Sequence, residues 1–338
     1  MPTLKELCMA AGGELSGPPD LRITGVASLG SATREEIAPV ESVKWLEAAL
    51  ASKAGALLAH KSLAKRLGGR PAILSPFPLA ALNKVIEALG LVPPPEPPGI
   101  HPTAIVDPGA KLGADVHVGP FAVLGKCTIG AGTVLQSRVV VEDGVVLGDH
   151  CFVEPGAVLH AGLVAGHRVR IGANAVLSRQ GFGYAPSPKG PLKLHHVGRV
   201  VLADDVHVGA CVTIDRARYD ETRVGRFSAI DNLVHLGHNC RVGERSFLAA
   251  QTGMAGGSTV GDDCEVGGQV GLSNQAHLGN RCRAGAQTGV ISRWKDGSTI
   301  WGCPAMPKTE FLRGVATLRR LARGEEKGPG EEEEEARP

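Results

Sequence analysis

Aromatic residues are scarce in this chain of 338 residues, at 4% of the total: seven Phe, two Tyr and three Trp. A layered globular core normally draws on more of them. The 43% of hydrophobic residues is therefore largely Val, Ile, Leu and Ala, and must pack in another way. Charge of one sign is also missing: 36 Lys and Arg against 34 Asp and Glu leave +2, which gives no support to nucleic acid or a membrane surface as partner. No stretch reaches the roughly 18 uninterrupted apolar residues of a spanning helix, so no integral membrane segment is expected. Met1–Glu6 includes an acid and opens no long apolar run, unlike a secretory leader. A soluble, cytoplasmic protein is the expectation. The eight cysteines (Cys8, Cys127, Cys151, Cys211, Cys240, Cys264, Cys282 and Cys303) form no CxxC pair, which argues against a zinc or redox motif.

Glycine is abundant, at 46 residues, but without the period of three that marks collagen. Short strands and turns are the alternative. From Val224 the chain repeats every six residues: Val224, Ile230, Leu236, Val242, Leu248, Met254, Val260, Val266, Leu272, Leu278, Ala284 and Val290. The residue after each is usually Gly or another small one, and Asp231 is the exception that stands out. Two residues before each aliphatic position lies a small or β-branched one, among them Thr222, Ser228, Cys240, Ser246, Cys264 and Cys282. A helix of 3.6 residues per turn cannot hold a strict period of six on one face. A triangular coil can: each hexapeptide makes one side and 18 residues close a turn. This predicts a left-handed parallel β-helix, with aliphatic residues at the corners and small ones on the walls. Cys264 and Cys282, 18 apart, should stack as small apolar residues.

The rhythm extends upstream through Leu112, Val118 and Leu124, slips by one at Ile129, and resumes from Leu135 to Leu177. A further piece runs Leu202, Val208, Ile214. Segment 178–199, with Gly181, Phe182, Gly183 and Tyr184 and three prolines, breaks it. Such a loop extruded from the coils is a frequent carrier of function. A second break lies near Asp220. Residues 1–92 lack the hexad and read as a small α/β domain, with helices near Leu4–Ala11 and Trp45–Leu50 and strands near Ile23–Val26 and Gly55–Ala59. A proline-rich linker follows at 93–99, and the β-helix spans 100–303. Segment 304–324 contains an amphipathic helix, Lys308–Arg323, with Leu312, Val315, Leu318 and Leu321 on one face and basic Arg313, Arg319, Arg320 and Arg323. It reads either as a solvated face of a packed helix or as a dock for an acidic partner. The acidic tail 325–338 is expected to be disordered.

Two His, one Asp and two Asn fall within Ile230–Asn239: Asp231, Asn232, His235, His238 and Asn239. With an 18-residue turn, His238 stacks on Gly256, which sets a bare N–H about one inter-strand spacing from an imidazole. An imidazole near its ordinary pKa can take a proton from an attacking amine or hydroxyl, and a bare N–H can stabilise an oxyanion. With a thioester donor no Ser or Cys nucleophile is needed. Asp231 would fix the ring tautomer or hold the substrate. The bland alternative is a surface histidine beside a turn glycine.

The runs GFGYA (181–185), Gly198-Arg199-Val200, GACVTIDR (209–216), IDNLVHLGHN (230–239) and Gly302-Cys303-Pro304-Ala305 resemble the UDP-3-O-acylglucosamine N-acyltransferase family of lipid A synthesis, one of the hexapeptide-repeat acyltransferases. The resemblance covers the whole folded chain, including Ile23–Ser28. It implies a homotrimer with active sites between neighbouring β-helices. The implied donor is a (3R)-3-hydroxyacyl group on the phosphopantetheine thioester of acyl carrier protein, and the acceptor the 2-amino group of UDP-3-O-acyl-glucosamine. No cofactor or metal of its own is implied. The family's general base falls on His238, its oxyanion glycine on Gly256, and its polar pair before the base on Asp231 and Asn232. Substrate contacts would also involve Asn239, His235, Gln275, Lys44 and Trp45, with the basic C-terminal helix meeting the carrier protein.

There are departures from the family pattern. A uracil grip of the form Phe-x-x-Asn-x-x-Tyr reads Pro39, Ser42 and Trp45 here, and Trp45 alone can stack on a base. A second histidine of the family reads Gln275 here, with His277 nearby, and His235 replaces a common Gln. A related acyltransferase with another UDP-amino sugar as acceptor is therefore the alternative. A non-catalytic scaffold, or a metalloprotein using His207, His235 and His238, is a third reading from a different class.

Overall fold

The computed structural model describes residues 1–94, 96–302 and 308–324. The chain divides into two compact units, Met1–Glu96 and Pro97–Pro338. Pro95 of the proline-rich linker lies outside the described residues, as do residues 303–307 and the acidic tail 325–338.

In the first unit, Thr3 opens helix α1 (Leu4–Ala11) with a capping box: its hydroxyl accepts the Glu6 N–H, while the Glu6 carboxylate accepts the Thr3 N–H at 2.7 Å. Leu4, Leu7, Cys8 and Ala11 form the buried stripe, and Gly12 ends the helix at φ 64°. The sheet has strands β1 (Glu14–Ser16), β2 (Gly25–Val26), β3 (Glu36–Val40), β4 (Ala56–His60) and β5 (Ala72–Ser75), in the order β1-β5-β4-β3-β2. Helices α2 (Leu46–Ala51) and α3 (Pro78–Ala88) complete the unit. Strands β1, β3 and β5 and helix α3 lie beyond the elements the sequence pattern named. Leu57, Leu58 and Ile73 are fully buried.

The second unit is a parallel β-helix. Two-residue strands alternate with turns, and three parallel sheets of ten, ten and eleven strands form its sides. The register is 18 where the hexad is unbroken: His235 pairs with Gly253, and Gly253 with Gly271. It is 17 across the slip before Ile129, where Thr128 pairs with Lys111. It widens to 37 across the extruded segment, Val164 to Val201, and to 22 across the second break, Thr213 to His235. Every aliphatic position from Val224 to Val290 is buried, and so is every small position from Thr222 to Thr288. Cys264 and Cys282 stack as expected, the Cys282 N–H donating to Cys264 Sγ at 3.4 Å.

One expectation reverses. The aliphatic residues sit in the strands, on the walls, and the small residues leave the turns at the corners. Most turns bend through a left-handed residue, such as Leu233, Asn239 and Arg245 at φ 62°, 61° and 52°. That tight bend leaves room for only a small inward side chain just after it.

The extruded segment 178–199 is not structureless. It carries an antiparallel pair, Tyr184–Ala185 against Leu192–Lys193, while its flanks, Val176–Arg179 and Arg199–Leu202, belong to the coils. The last helix, α4, runs Lys308–Ala322. Its Leu312, Leu318 and Leu321 are exposed, so within the described residues its apolar face is not packed on a neighbour. Among the described residues no helix is long and apolar enough to cross a membrane.

Candidate active site

Several turns of this β-helix are closed by side chains that reach back one coil. Asp149 accepts the Ala131 N–H, Asp262 the Glu244 N–H and Asn280 the Asp262 N–H, each at 2.8 Å. The turn at His238 and Gly256 breaks this ladder. Among the described residues neither the His238 N–H nor the Gly256 N–H donates to an acceptor; the residue whose side chain would cap the His238 N–H in this pattern is Gly256 itself.

His238 follows the strand His235–Leu236. A Cβ on Gly237 would lie 2.9 Å from Met254 O and 3.0 Å from Gly256 N, so the turn can approach the next coil only without one. The His238 ring then covers the bare Cα of Gly256. A Cβ there would fall 2.6 Å from both Cε1 and Nε2 of the imidazole. The pairing expected from the 18-residue turn is thus present, and the Gly257 N–H donates to His238 O at 2.8 Å.

Asn239 fixes the tautomer. Its backbone adopts φ 61°, a conformation Asn tolerates, and its N–H donates to Thr222 Oγ1 at 2.9 Å. Its Oδ1 accepts the Arg218 N–H at 3.0 Å, so the amide oxygen is the atom that lies 3.1 Å from His238 Nδ1. Two acceptors cannot share a proton, so Nδ1 is the donor and Nε2 keeps a lone pair on the Gly256 side. The expectation that Asp231 would fix the tautomer is corrected: Asp231 lies one corner away, where its carboxylate accepts the N–H groups of Asn232 (2.7 Å) and Ala250 (3.1 Å). Asn232 Oδ1 accepts the Ala210 N–H at 2.8 Å. Both line a different groove, of about 870 Å³, beside Phe247, Arg283 and Trp301.

His238, Gly256, Phe182, Asp215 and His235 wall a pocket of about 530 Å³. A second cleft of about 240 Å³ shares Phe182, Asp215 and His235 and adds Arg179, Tyr184 and Lys193. His235 is exposed; its Nδ1 lies 2.7 Å from Thr213 Oγ1 and its Nε2 3.9 Å from Asp215 Oδ2. Asp215 is 5% exposed, and burial pushes its carboxyl above the usual range against the pull of His235 and Arg179. Sequence reasoning gave no role to Asp215 or to His196, whose ring lies beside His238. For Asp215 a signal existed: it follows the inward Ile214, where most hexads carry Gly or a small residue. Gln275 is exposed and donates its N–H to Gly256 O at 3.2 Å. Lys44 and Trp45 belong to the first unit, in a short 3-10 turn (Val43–Trp45). Trp45 is 52% exposed, which removes core packing as its explanation. Among the described residues no three His, Cys, Asp or Glu side chains of one chain are grouped to hold a metal; His207 lines the larger groove, and His235 and His238 line the 530 Å³ pocket.

The coils of this β-helix place the chain among the hexapeptide-repeat proteins. Residues 126–161 match the model described as bacterial transferase hexapeptide (six repeats). Over 326 residues the chain is 37% identical to a UDP-3-O-acylglucosamine N-acyltransferase of Anaeromyxobacter dehalogenans (strain 2CP-C), covering 94% of this chain and 92% of the relative. A relative of the same name from Azorhizobium caulinodans is 37% identical over 344 residues, covering 98% and 96%. Among solved structures, an Arabidopsis UDP-N-acetylglucosamine acyltransferase shares the fold, with a TM-score of 0.55 at 23% identity, covering 69% of this chain and 86% of that one. The chain belongs to the UDP-3-O-acylglucosamine N-acyltransferase family and is an acyltransferase.

Proposed function

We propose that the protein transfers a (3R)-3-hydroxyacyl group from acyl carrier protein to the 2-amino group of UDP-3-O-acyl-glucosamine in lipid A synthesis, with His238 as general base. The observation that carries this reading is the His238 Nε2 lone pair set over Gly256, whose N–H has no other partner among the described residues. The amine nitrogen attacks the thioester carbon and gives its proton to Nε2. The Gly256 N–H receives the oxyanion that forms. Collapse of the intermediate breaks the C–S bond, and the imidazolium returns the proton to the departing thiolate. Amide and thiol are the products, and no covalent enzyme intermediate is needed. Asp215 is buried beside the same pocket, and a positive charge on His238 favours its ionised form against the effect of burial.

Trp45, exposed on its turn, offers a face for a base, with Lys44 beside it. Asp231, Asn232, His235, Asn239 and Gln275 complete the proposed substrate contacts, Asn239 acting through His238. The exposed arginines of α4, Arg313, Arg319 and Arg320, suit an acidic carrier protein. A homotrimer in the cytoplasm is part of this reading.

Pro39 and Ser42 favour a second reading, in which another UDP-amino sugar is the acceptor. One assay separates the two: purified protein, 3-hydroxyacyl carrier protein, and either UDP-3-O-acyl-glucosamine or a non-acylated UDP-amino sugar, with His238→Ala alongside. Amide formation on the first acceptor, lost by about 10²- to 10⁴-fold in the variant, supports the proposal. A preference for the non-acylated sugar moves the activity to the second reading, and a variant with near-normal turnover removes His238 as base.

A further inference from the structure

The two interruptions of the hexad converge on one side chain. The second break brings Arg218 to Asn239, and through it to His238 Nδ1. The extruded segment brings His196 to the same ring: the two imidazole centroids lie 5.0 Å apart with planes at 56°. We propose that His196 is a positioning residue for the transfer step, its ring backing the His238 imidazole and keeping Nε2 over Gly256. This rests on the reading of His238 as the base.

His196 is held firmly enough for that task. It is 1% exposed, and Gln180 clamps its backbone from across the neck of the segment. The His196 N–H donates to Gln180 Oε1 at 2.9 Å, and Gln180 Nε2 donates to His196 O at 3.0 Å. His196 Nδ1 lies 3.2 Å from Leu194 O. A carbonyl only accepts, so Nδ1 carries the proton and Nε2 turns inward. A Cβ on Gly181 would come 3.0 Å from that Nε2 and 3.2 Å from His238 Cβ, and one on Gly183 would come 3.1 Å from His196 Cε1. Gly181 and Gly183 therefore make room for this ring, and Gly181 threads between the two histidines. The charged groups facing His196 are His238, Asp215 and Arg218. Burial and then the nearness of His238 push its pKa down, so it stays neutral when His238 takes the proton and places no second cation beside the imidazolium.

The test compares His196→Ala, His196→Phe and His196→Gln with the wild type in steady-state transfer and in thermal melting. Loosening the base misplaces Nε2 while substrate contacts remain. His196→Ala is expected to lower kcat by about 10- to 100-fold with KM for both substrates nearly unchanged. His196→Phe, which restores an aromatic wall, is expected to recover more of kcat than His196→Gln. If His196→Ala does not fold, the order of Phe and Gln decides, and Gln equal to or above Phe overturns the proposal. So does a folded His196→Ala with wild-type kcat, or one altered in KM alone. Exchange of the histidine C2 hydrogen, followed by mass spectrometry against pH, reads His238 without turnover. Should the wild type transfer nothing, the base reading fails, yet His196 still counts as holding His238 only if His196→Ala speeds exchange at His238.

Discussion

At the residue scale, the site depends on two side chains that are unusual for their position. Gly256 replaces a capping residue, and its missing Cβ is where the His238 imidazole rests. Gly256→Ala must push that ring aside, since 2.6 Å to two ring atoms is closer than packed atoms tolerate. The expected result is a fall in kcat of about 10²-fold with the β-helix intact, measured by steady-state transfer beside circular dichroism. Asn239 offers a finer test. Asn239→Asp sets a carboxylate against Nδ1–H and stabilises the imidazolium, which raises the basicity of His238. The acid limb of the kcat/KM profile is then expected to move to higher pH, and an unmoved limb would show that Asn239 does not face the working base. His238 and Gly256 were legible because a strict period turns sequence distance into spatial distance. Asn239 as tautomer holder was not, because its partner Arg218 arrives from a four-residue excursion that the period cannot place. His196 was hidden for the same reason, inside a segment with no rhythm.

At the scale of the element, the six-residue rhythm specified strands, register and both interruptions, since each slip in spacing reappears as a register of 17, 22 or 37. What the rhythm could not show was which inward position is the wall and which the corner; that follows from where the left-handed turn residue falls. In the first unit no period exists. Short strands such as Glu36–Val40 and the helix Pro78–Ala88 are defined by their packing on one another, so local pattern undercounted them. The small corner column carries its own prediction. Ser246 donates to Gly261 O at 2.7 Å, and Cys264 one coil on makes the same bond to Gly279 O at 3.0 Å. Cys264→Ser should therefore be tolerated. Cys264→Leu overfills a position buried on all sides and should cost about 1–3 kcal/mol, read as a lower midpoint in urea. Equal midpoints for the two variants would mean that the column is not close-packed.

At the scale of the whole molecule, the acid response should come in two stages. Asp205 is held below the usual carboxylate range by Arg168 and Arg226, and Asp263 by Arg245. Both are solvent-screened surface pairs, so each contributes little. Their contribution is present above the ordinary Asp pKa and is lost as pH falls through the lower folded value. His196 has the opposite chemistry in the same direction. Its folded pKa is depressed by burial, so the unfolded chain binds its proton first. Stability is full above the ordinary histidine value of about 6.5 and declines as pH falls from there towards the folded value. The melting temperature is thus expected to begin falling just below neutrality, well before Asp205 and Asp263 titrate. His196→Phe cannot take up a proton in either state, and it should flatten that first stage while leaving the second, below about pH 4, in place. Melting curves of the two proteins at matched ionic strength from pH 8 to pH 3 decide the matter. Parallel curves through the first stage would move the early acid sensitivity away from the extruded segment, leaving His207, whose pKa is also lowered by burial and by Arg170, as the group to substitute next.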